Sequence, residues 1–235
     1  MFPVQRVLKL EPSFMRIYTI VTVSKISAPL PRQKSPISRE ILPFPIPDSD
    51  VGLVAALRAS RAEAATALFE RHGRFIQRVL GRVLGPDPEL PDVLHDVFVE
   101  ALQSLNRLDD PKCLRNWLTT IAVHTARGHI RRRRRRRIFQ YLPFYAVPQP
   151  SVIPRVDEWS QPLRATYRVL GRMSDDDRIL FALRYIEQLE LTEVAAAVGV
   201  SLATVKRKLT KASQQFFGLA NTEPALLEWM KETQS

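Results

Sequence analysis

The feature that most constrains this chain is a run of seven consecutive arginines at positions 131–137, directly after an amphipathic stretch that contains Trp117 and Ile121. Successive side chains on a helix are rotated by about 100°, so seven arginines cover every face of two turns. The run therefore has to project into solvent or onto a polyanion. An apolar block that ends in such a run is typical of a module that carries charge to a phosphate backbone. The alternatives are a solvated linker or a localisation tract.

The composition indicates a basic protein with a substantial core. The net charge is +11, the pI is about 10.3 and 45% of the 235 residues are hydrophobic, which suits one or two domains with a nucleic-acid or anionic-membrane partner. The apolar stretch 14–23 is too short to span a membrane and is interrupted by Arg16. The single cysteine, Cys113, excludes an internal disulfide and a four-cysteine zinc site. We expect a cytoplasmic protein without membrane insertion, metal or cofactor.

Proline-rich stretches divide the chain into segments. Prolines are frequent before residue 50 and again between residues 141 and 162, where they exclude a continuous helix. The intervening segments carry apolar residues at spacings of three, four and seven, without strand-like alternation. The prediction is an all-α fold with two small helical domains joined by a proline-rich linker. The predicted boundaries are a disordered or weakly structured extension at 1–50, domains at 51–138 and 163–219, a linker at 139–162, and a tail at 220–235.

An acidic amphipathic helix is predicted in the first domain. Pro91 suits the first turn of a helix, and an acidic residue follows it. Asp92, Asp96 and Glu100 are spaced by four residues, so the three carboxylates share one face. This face is either solvated or complementary to a basic partner.

The second domain contains a helix-turn-helix pattern at residues 191–209. Gly199 can adopt the left-handed conformation that a tight turn requires, and Ser201 can cap the following helix. Val205 and Leu209 form its core face, while the basic residues occupy the other faces. This arrangement places a second helix in a DNA major groove.

These motifs together resemble the extracytoplasmic-function (ECF) group of bacterial RNA polymerase sigma factors. Residues 53–137 resemble sigma region 2, and residues 163–217 resemble region 4. The acidic segment 92–98 is similar to the polymerase-docking helix of the family. Segment 117–122, which is followed by basic residues, is similar to the promoter-melting helix. Segment 191–209 resembles the reader of the −35 element.

The resemblance implies a sigma factor that binds core RNA polymerase and promoter DNA, and it leaves open whether an anti-sigma factor restrains the chain. The implied polymerase-docking residues are Asp92, His95, Asp96, Val99 and Glu100. The residues implied for the −10 element and its phosphates are Arg115, Asn116, Arg127, Arg131, Arg132, Arg133, Arg134 and Arg135. The residues implied for the −35 element are Ser201, Ala203, Thr204, Lys206, Arg207, Lys208 and Lys211.

Several interpretations remain open from the sequence. Trp117 is interpreted as a core residue, and the alternative is an aromatic that stacks on an unstacked base. His124 and His129 either contact the melted strand or are ordinary surface residues. No nucleophile with a base, metal-ligand cluster or phosphate loop is present, so we do not expect an enzyme. The alternative functions are a stand-alone helix-turn-helix regulator and a basic adaptor that binds nucleic acid without sequence preference.

Overall fold

The computed structural model describes residues 49–140 and 161–232, and it is helical without strands in these two ranges, which confirms the predicted all-α class. The extension predicted at 1–50, apart from its last two residues, and most of the linker lie outside the described residues. The helices of the first domain are α1 (Asp50–Arg58), α2 (Ala64–Leu84), α3 (Leu90–Gln103) and α4 (Leu114–Gln140). Those that follow are α5 (Gln161–Arg172), α6 (Asp175–Phe181), α7 (Leu191–Val198), α8 (Leu202–Ala220) and α9 (Pro224–Glu232).

The first domain is a helical bundle in which α2, α3 and α4 pack against one another. Its centre consists of fully buried aliphatic side chains such as Ile76, Leu80, Val97 and Leu118. The short helix α1 packs on α2, and the Ser49 side chain caps it by accepting a hydrogen bond from the Gly52 N–H at 3.1 Å. Helix α4 continues without a break through the arginine run.

The second domain is built around α5, α6 and α8. The Phe181 ring of α6 stacks on Phe216 of α8 with the ring centroids 4.3 Å apart. A π-helical turn (Ala182–Ile186) follows α6 and leads toward α7. Helix α9 packs on α5, where Arg168 and Glu223 form an ion pair.

The two domains pack directly on each other, which the sequence did not predict. The Arg178 guanidinium donates hydrogen bonds to the carbonyls of Val83 at 3.0 Å and Leu84 at 2.8 Å, and the Tyr167 hydroxyl donates to the carbonyl of Arg82 at 3.1 Å. The last carbonyls of a helix have no partner within the helix, and its C-terminus attracts cations. The second domain thus caps the end of α2.

This contact is buried enough to change the titration of both capping side chains. Burial raises the pKa of the Tyr167 phenol to about 12, so it remains a hydrogen-bond donor at neutral pH. Burial lowers the pKa of the Arg178 guanidinium below its ordinary value.

Gly85 makes this packing possible. It follows α2 with φ 71° and ψ −151°, a combination accessible essentially only to glycine. A β-carbon at this position would lie 2.4 Å from Cδ1 of Tyr167. A side chain at residue 85 would therefore strain the backbone and displace the Tyr167 ring.

We expect Gly85→Ala to lower the free energy of unfolding by about 2–4 kcal/mol, from backbone strain and the overlap with Tyr167. The measurement is urea unfolding followed by circular dichroism. Gly218→Ala is the matched control, because a β-carbon there meets nothing within 4 Å inside α8. The control should be neutral or slightly stabilising. Equal unfolding midpoints for Gly85→Ala and the unmodified chain would contradict this account.

Candidate nucleic-acid interface

Helix α4 starts from a short 3₁₀ turn (Pro111–Cys113) that is held by Asp110, whose carboxylate accepts a hydrogen bond from the Lys112 N–H at 2.9 Å. The next polar residues, Arg115 and Asn116, are both exposed. The guanidinium of Arg115 lies 4.0 Å from the centre of the Phe75 ring, a cation–π contact that fixes its orientation. The start of α4 therefore presents an oriented cation and an amide to solvent.

Two aromatic side chains of α4 that were considered as contacts to the DNA strand, Trp117 and His129, pack within the protein. Trp117 is partly buried and packs against the hydrophobic core, which is consistent with its interpretation as a core residue. His129 is 3% exposed, so the expectation that it contacts the strand or is an ordinary surface residue is wrong. His124 is exposed, and either of its proposed roles is sterically accessible.

His129 belongs to a buried charge cluster around Asp87, a residue of the loop after α2. The Asp87 carboxylate accepts hydrogen bonds from His129 Nε2 at 2.9 Å, from Arg133 at 2.6 Å and from the Glu89 N–H at 3.0 Å. Burial alone would raise the pKa of this carboxyl group, but the His129 hydrogen bond and the Arg133 charge outweigh it, so that the pKa lies below 3.8. Asp87 is therefore ionised at neutral pH and fixes the distal part of α4 on the first domain.

The arginine run extends α4, and its described side chains fall into two groups: those that pair with acidic residues of the protein and those that are exposed without an observed ion pair. Arg133 is paired with Asp87, Arg134 with Asp175 at 3.2 Å, and Arg136 with Glu89 at 2.9 Å. Among the described residues, no ion pair is observed for the exposed side chains of Arg131, Arg132 and Arg135. The prediction that the whole run projects outward is therefore corrected: about half of the described arginines neutralise acidic groups of the protein itself.

A second face of α4 is also buried. Thr119, Val123, Ala126 and Ile130 recur at spacings of four, three and four residues, about 100° around the helix from the core face that contains Leu118. Helices α6 and α7 of the second domain pack on α4. At the C-terminal end of this face, Ile130 borders a cavity shared with residues of the second domain. The second domain thus covers one side of α4.

The acidic turn, defined here as residues 174–177, lies at the edge of this contact. Ser174 caps α6 by accepting a hydrogen bond from the Asp177 N–H at 3.2 Å. Asp175 pairs with Arg134, and Asp176 pairs with Arg127 at 3.0 Å. These two acidic residues therefore face the basic side of α4.

The helix-turn-helix has the predicted geometry. Gly199 ends α7 in the left-handed conformation, with φ 70° and ψ 37°. Ser201 begins α8 as its N-cap, and its hydroxyl accepts a hydrogen bond from the Thr204 N–H at 3.3 Å. Val205 and Leu209 are buried, as predicted for the core face of α8. The turn chemistry and the amphipathic pattern of this unit are therefore confirmed.

Five of the seven predicted −35 residues at the start of α8 are exposed, and the other two, Thr204 and Lys208, are partly buried. Thr204 is half-buried and shares a hydrogen bond with the Ser201 hydroxyl at 2.9 Å. Lys208 lies 3.8 Å from the Asp176 carboxylate and is therefore directed at the acidic turn. The exposed members of the set are Ser201, Ala203, Lys206, Arg207 and Lys211.

The predicted docking residues occupy the outer face of α3. Asp92, His95, Asp96 and Glu100 are exposed, and Val99 is partly buried. Within the described ranges no ion pair is observed for the three carboxylates of this face. The structure thus brings the docking residues together as an unpaired acidic surface.

Asp87 and Arg178 are important residues that the sequence did not single out. Asp87 stands between two prolines, which indicate a loop, and its partners follow more than 40 residues later. Arg178 follows three aspartates, a position that suggests local pairing rather than a contact with α2. A lone arginine next to the apolar residues Ile179 and Leu180 was the one available signal of a buried guanidinium.

Comparisons with known proteins agree with this arrangement. The family model for Sigma-70 region 2 matches residues 68–136, and that for Sigma-70 region 4 matches residues 163–216. The ECF RNA polymerase sigma-E factor of Escherichia coli K12 is 22% identical over 175 residues, which cover 71% of this chain and 91% of that protein. The RNA polymerase sigma factor NccH of Alcaligenes xylosoxydans xylosoxydans is 25% identical over 184 residues, covering 73% and 96% of the two chains.

A solved structure supports the fold. The structure of CnrH in complex with the cytosolic domain of CnrY aligns with a TM-score of 0.54 and 24% identity, over 75% of this chain and 99% of that chain. The two matched regions define a two-domain transcription initiation factor. The chain belongs to the sigma-70 family of RNA polymerase sigma factors, in its ECF group.

In residues 49–140 and 161–232, no cluster of three or more histidine, cysteine, aspartate or glutamate side chains could hold a metal ion. Within the same ranges, no helix has the length and apolar character required to cross a membrane.

The depressed pKa of Asp87 predicts a pH-dependent effect of Asp87→Asn. A carboxyl group whose pKa is lowered by folding stabilises the protein above its unfolded pKa and loses this contribution as the pH falls through the folded pKa. We expect the variant to be about 3 kcal/mol less stable at pH 7, because the buried His129 and the partly exposed Arg133 lose their anion.

The stability difference should shrink only below about pH 4, where the Asp87 carboxyl group begins to bind its proton in the unfolded state of the unmodified chain but not yet in the folded state. Urea unfolding from pH 7 down to pH 3 measures it. Asp96→Asn is the control, because Asp96 is exposed on α3. A difference that is absent at pH 7, or unchanged at pH 3, is incompatible with the ionised Asp87 cluster.

Proposed function

We propose that this chain binds core RNA polymerase and directs promoter-specific transcription initiation, with a division of labour between its domains. The domain at 51–138 docks on the polymerase and melts the −10 element, and the domain at 163–219 reads the −35 element. The observation that carries the proposal is the order of three surfaces on one chain: an unpaired acidic helix, a basic helix and a helix-turn-helix. The chain itself performs no chemistry and lends specificity to the polymerase.

Helix α3 supplies the proposed polymerase contact. Its three exposed carboxylates are free to approach a basic surface, and complementary charge accelerates association and fixes orientation. Val99 at the margin of this face adds an apolar contact. A polymerase contact would explain why three carboxylates are grouped on one face of α3, because solvation alone does not require this grouping.

Helix α4 supplies the proposed contacts to the −10 element and its phosphates. Arg131, Arg132 and Arg135 are exposed and available for phosphate oxygens. Arg115 and Asn116, at the start of the helix, are placed to contact an unstacked base or the strand next to it. The unstacking of a base costs a few kcal/mol, which such contacts have to offset.

Helix α8 supplies the proposed reader of the −35 element. Arg207 is exposed in the first two turns, and arginine binds a guanine edge with two hydrogen bonds in the major groove. Lys206 and Lys211 are suited to flanking phosphates. Ser201, Ala203 and Thr204 lie at the N-terminus of the helix, which enters the groove first in this class of motif.

The proposed setting is the cytoplasm, where core polymerase acts, and a second protein regulates the chain. CnrH, which resembles this chain in fold, was solved in complex with the cytosolic domain of CnrY. We propose a comparable partner that acts as an anti-sigma factor. Association with core polymerase distinguishes the main proposal from a stand-alone helix-turn-helix regulator, which would bind an operator without polymerase.

Reconstitution with bacterial core polymerase on genomic DNA, with mapping of new transcription starts, tests the proposal. On a promoter found in this way, Arg207→Ala should reduce run-off transcription about 5-fold to 150-fold, because the loss of a bidentate base contact costs about 1–3 kcal/mol. Gln214→Ala is the control on the exposed side of α8 beyond the proposed contacts. No new starts with the unmodified chain would refute the assignment, and equal transcription by both variants would remove Arg207 as a base reader.

Charge reversal on α3 should separate docking from DNA reading. We expect Asp96→Arg/Glu100→Arg to weaken core polymerase binding at least 10-fold, because like charges then face each other. Fluorescence anisotropy of the labelled chain titrated with core polymerase measures this affinity. Glu70→Arg/Glu228→Arg is the control, with the same change in net charge at exposed positions outside α3. Equal affinities for the two double variants would rule out the proposed docking face.

A further inference from the structure

We propose that the cavity between α4 and the helices α6, α7 and α8 is a binding site for a small phosphorylated molecule, a phosphate monoester with an apolar body. The inference goes beyond the proposed function and does not depend on it. It gives a role to Arg127 and Lys208, two cations that the proposed promoter contacts leave without one.

The cavity has a volume of about 210 Å³ and is partly open to solvent. At about 30 Å³ per water molecule, it offers room for roughly seven waters, or for one phosphate group with a short substituent. Leu180, Val198 and Val200 of the second domain form the apolar part of its lining, and the charged part comes from both domains. The cavity can therefore contact both halves of an amphipathic ligand.

The charged lining of the cavity has a surplus of two positive charges. Arg127 and Arg131 of α4 and Lys208 of α8 line it together with a single carboxylate, that of Asp176. Nζ of Lys208 lies 3.8 Å from one oxygen of this carboxylate. Within residues 49–140 and 161–232, no ion pair is observed for Arg131. Because the three cations repel one another, a further anion in the cavity is electrostatically favourable.

Arg127 has a buried hydrogen-bond donor that Asp176 does not satisfy. Its Nε atom is buried and lies 3.0 Å from a carboxylate oxygen of Asp176, but the N–H is not directed at this oxygen and has no acceptor among the described residues. A buried donor without an acceptor is unfavourable, and guanidinium groups bind phosphate oxygens through charge-assisted hydrogen bonds. A phosphate oxygen in the cavity would supply the acceptor.

The charge and size of the cavity determine the class of ligand. A phosphate monoester carries about −1.5 to −2 charges at pH 7, which matches the surplus of the lining, and its three terminal oxygens can accept from several cations. The apolar lining suits the substituent of the ester. The phosphates of a duplex have the same chemistry, but a continuous double-stranded backbone does not enter a recess of this volume. The geometry therefore favours a free small molecule over DNA.

Calorimetric titration of the full chain with phenyl phosphate tests the site. We expect one phenyl phosphate to bind per chain, about 3-fold to 10-fold more tightly than inorganic phosphate, because its ring contacts the apolar lining. Phenyl sulfate has a similar shape and a single negative charge, and it should bind about 3-fold or more weakly than phenyl phosphate. Equal affinities for all three anions would contradict a built site.

Two substitutions in the cavity should change this affinity in opposite directions. Lys208→Ala should weaken phenyl phosphate binding about 5-fold or more, because it removes a charge-assisted contact. Asp176→Asn should strengthen binding about 3-fold to 10-fold, because it removes the competing carboxylate. Lys112→Ala and Asp109→Asn make the same changes of residue at exposed positions of the first domain, and both should bind like the unmodified chain. Circular dichroism verifies that all four variants are folded.

Binding of a labelled duplex distinguishes the two sources of phosphate. Lys208→Ala should bind the duplex as tightly as Lys112→Ala does. The proposal would be overturned by absent phenyl phosphate binding, or by cavity variants that bind it no differently from their controls. A Lys208→Ala variant that loses affinity for the duplex alone would overturn it as well. Failure of the sigma assignment would appear separately, as absent promoter-directed transcription with core polymerase.

Discussion

The structure depends on how the C-terminal end of α2 is capped. Three successive carbonyls at this end accept hydrogen bonds from Arg178 and Tyr167 of the second domain. A buried carbonyl without a donor costs about 1–3 kcal/mol, so the same contact completes the first domain and attaches the second. Gly85 permits it, because only a residue without a β-carbon fits beside the Tyr167 ring. The orientation of the domains follows from this one helix end.

The distribution of charge explains how so basic a chain can be compact. On α4, Asp87 neutralises Arg133 and Glu89 neutralises Arg136. Asp175 and Asp176 of the second domain neutralise the other two paired arginines of this helix. The remaining cations face outward along α4 and α8. The exposed cations of α4 and α8 without an observed ion pair therefore lie on the surfaces proposed to bind DNA, while the acidic face of α3 remains available for the polymerase.

Local features of the fold were predictable from the sequence, and contacts between distant segments were not. The left-handed Gly199, the Ser201 cap and the buried Val205 follow from residue preferences within a few positions. The burial of His129 depends on Asp87, which lies 42 residues earlier, and no local pattern encodes that pairing. The packing of the domains likewise depends on Arg178 reaching the end of α2. Periodicity predicted which faces of α4 are apolar but could not predict that the second domain covers one of them.

Arg133 and Arg136 are anchored to acidic residues of the protein, and this anchoring affects the thermodynamics of phosphate binding by α4. A basic tail without regular structure loses backbone freedom when it binds, at a cost of about 1–2 kcal/mol per ordered residue. Here the backbone is already helical, and Arg133 and Arg136 fix it to the loop before α3. The exposed Arg131, Arg132 and Arg135 are thus preorganised on a helical backbone. Calorimetry of phosphate binding at this helix should register only a small entropic penalty from the main chain.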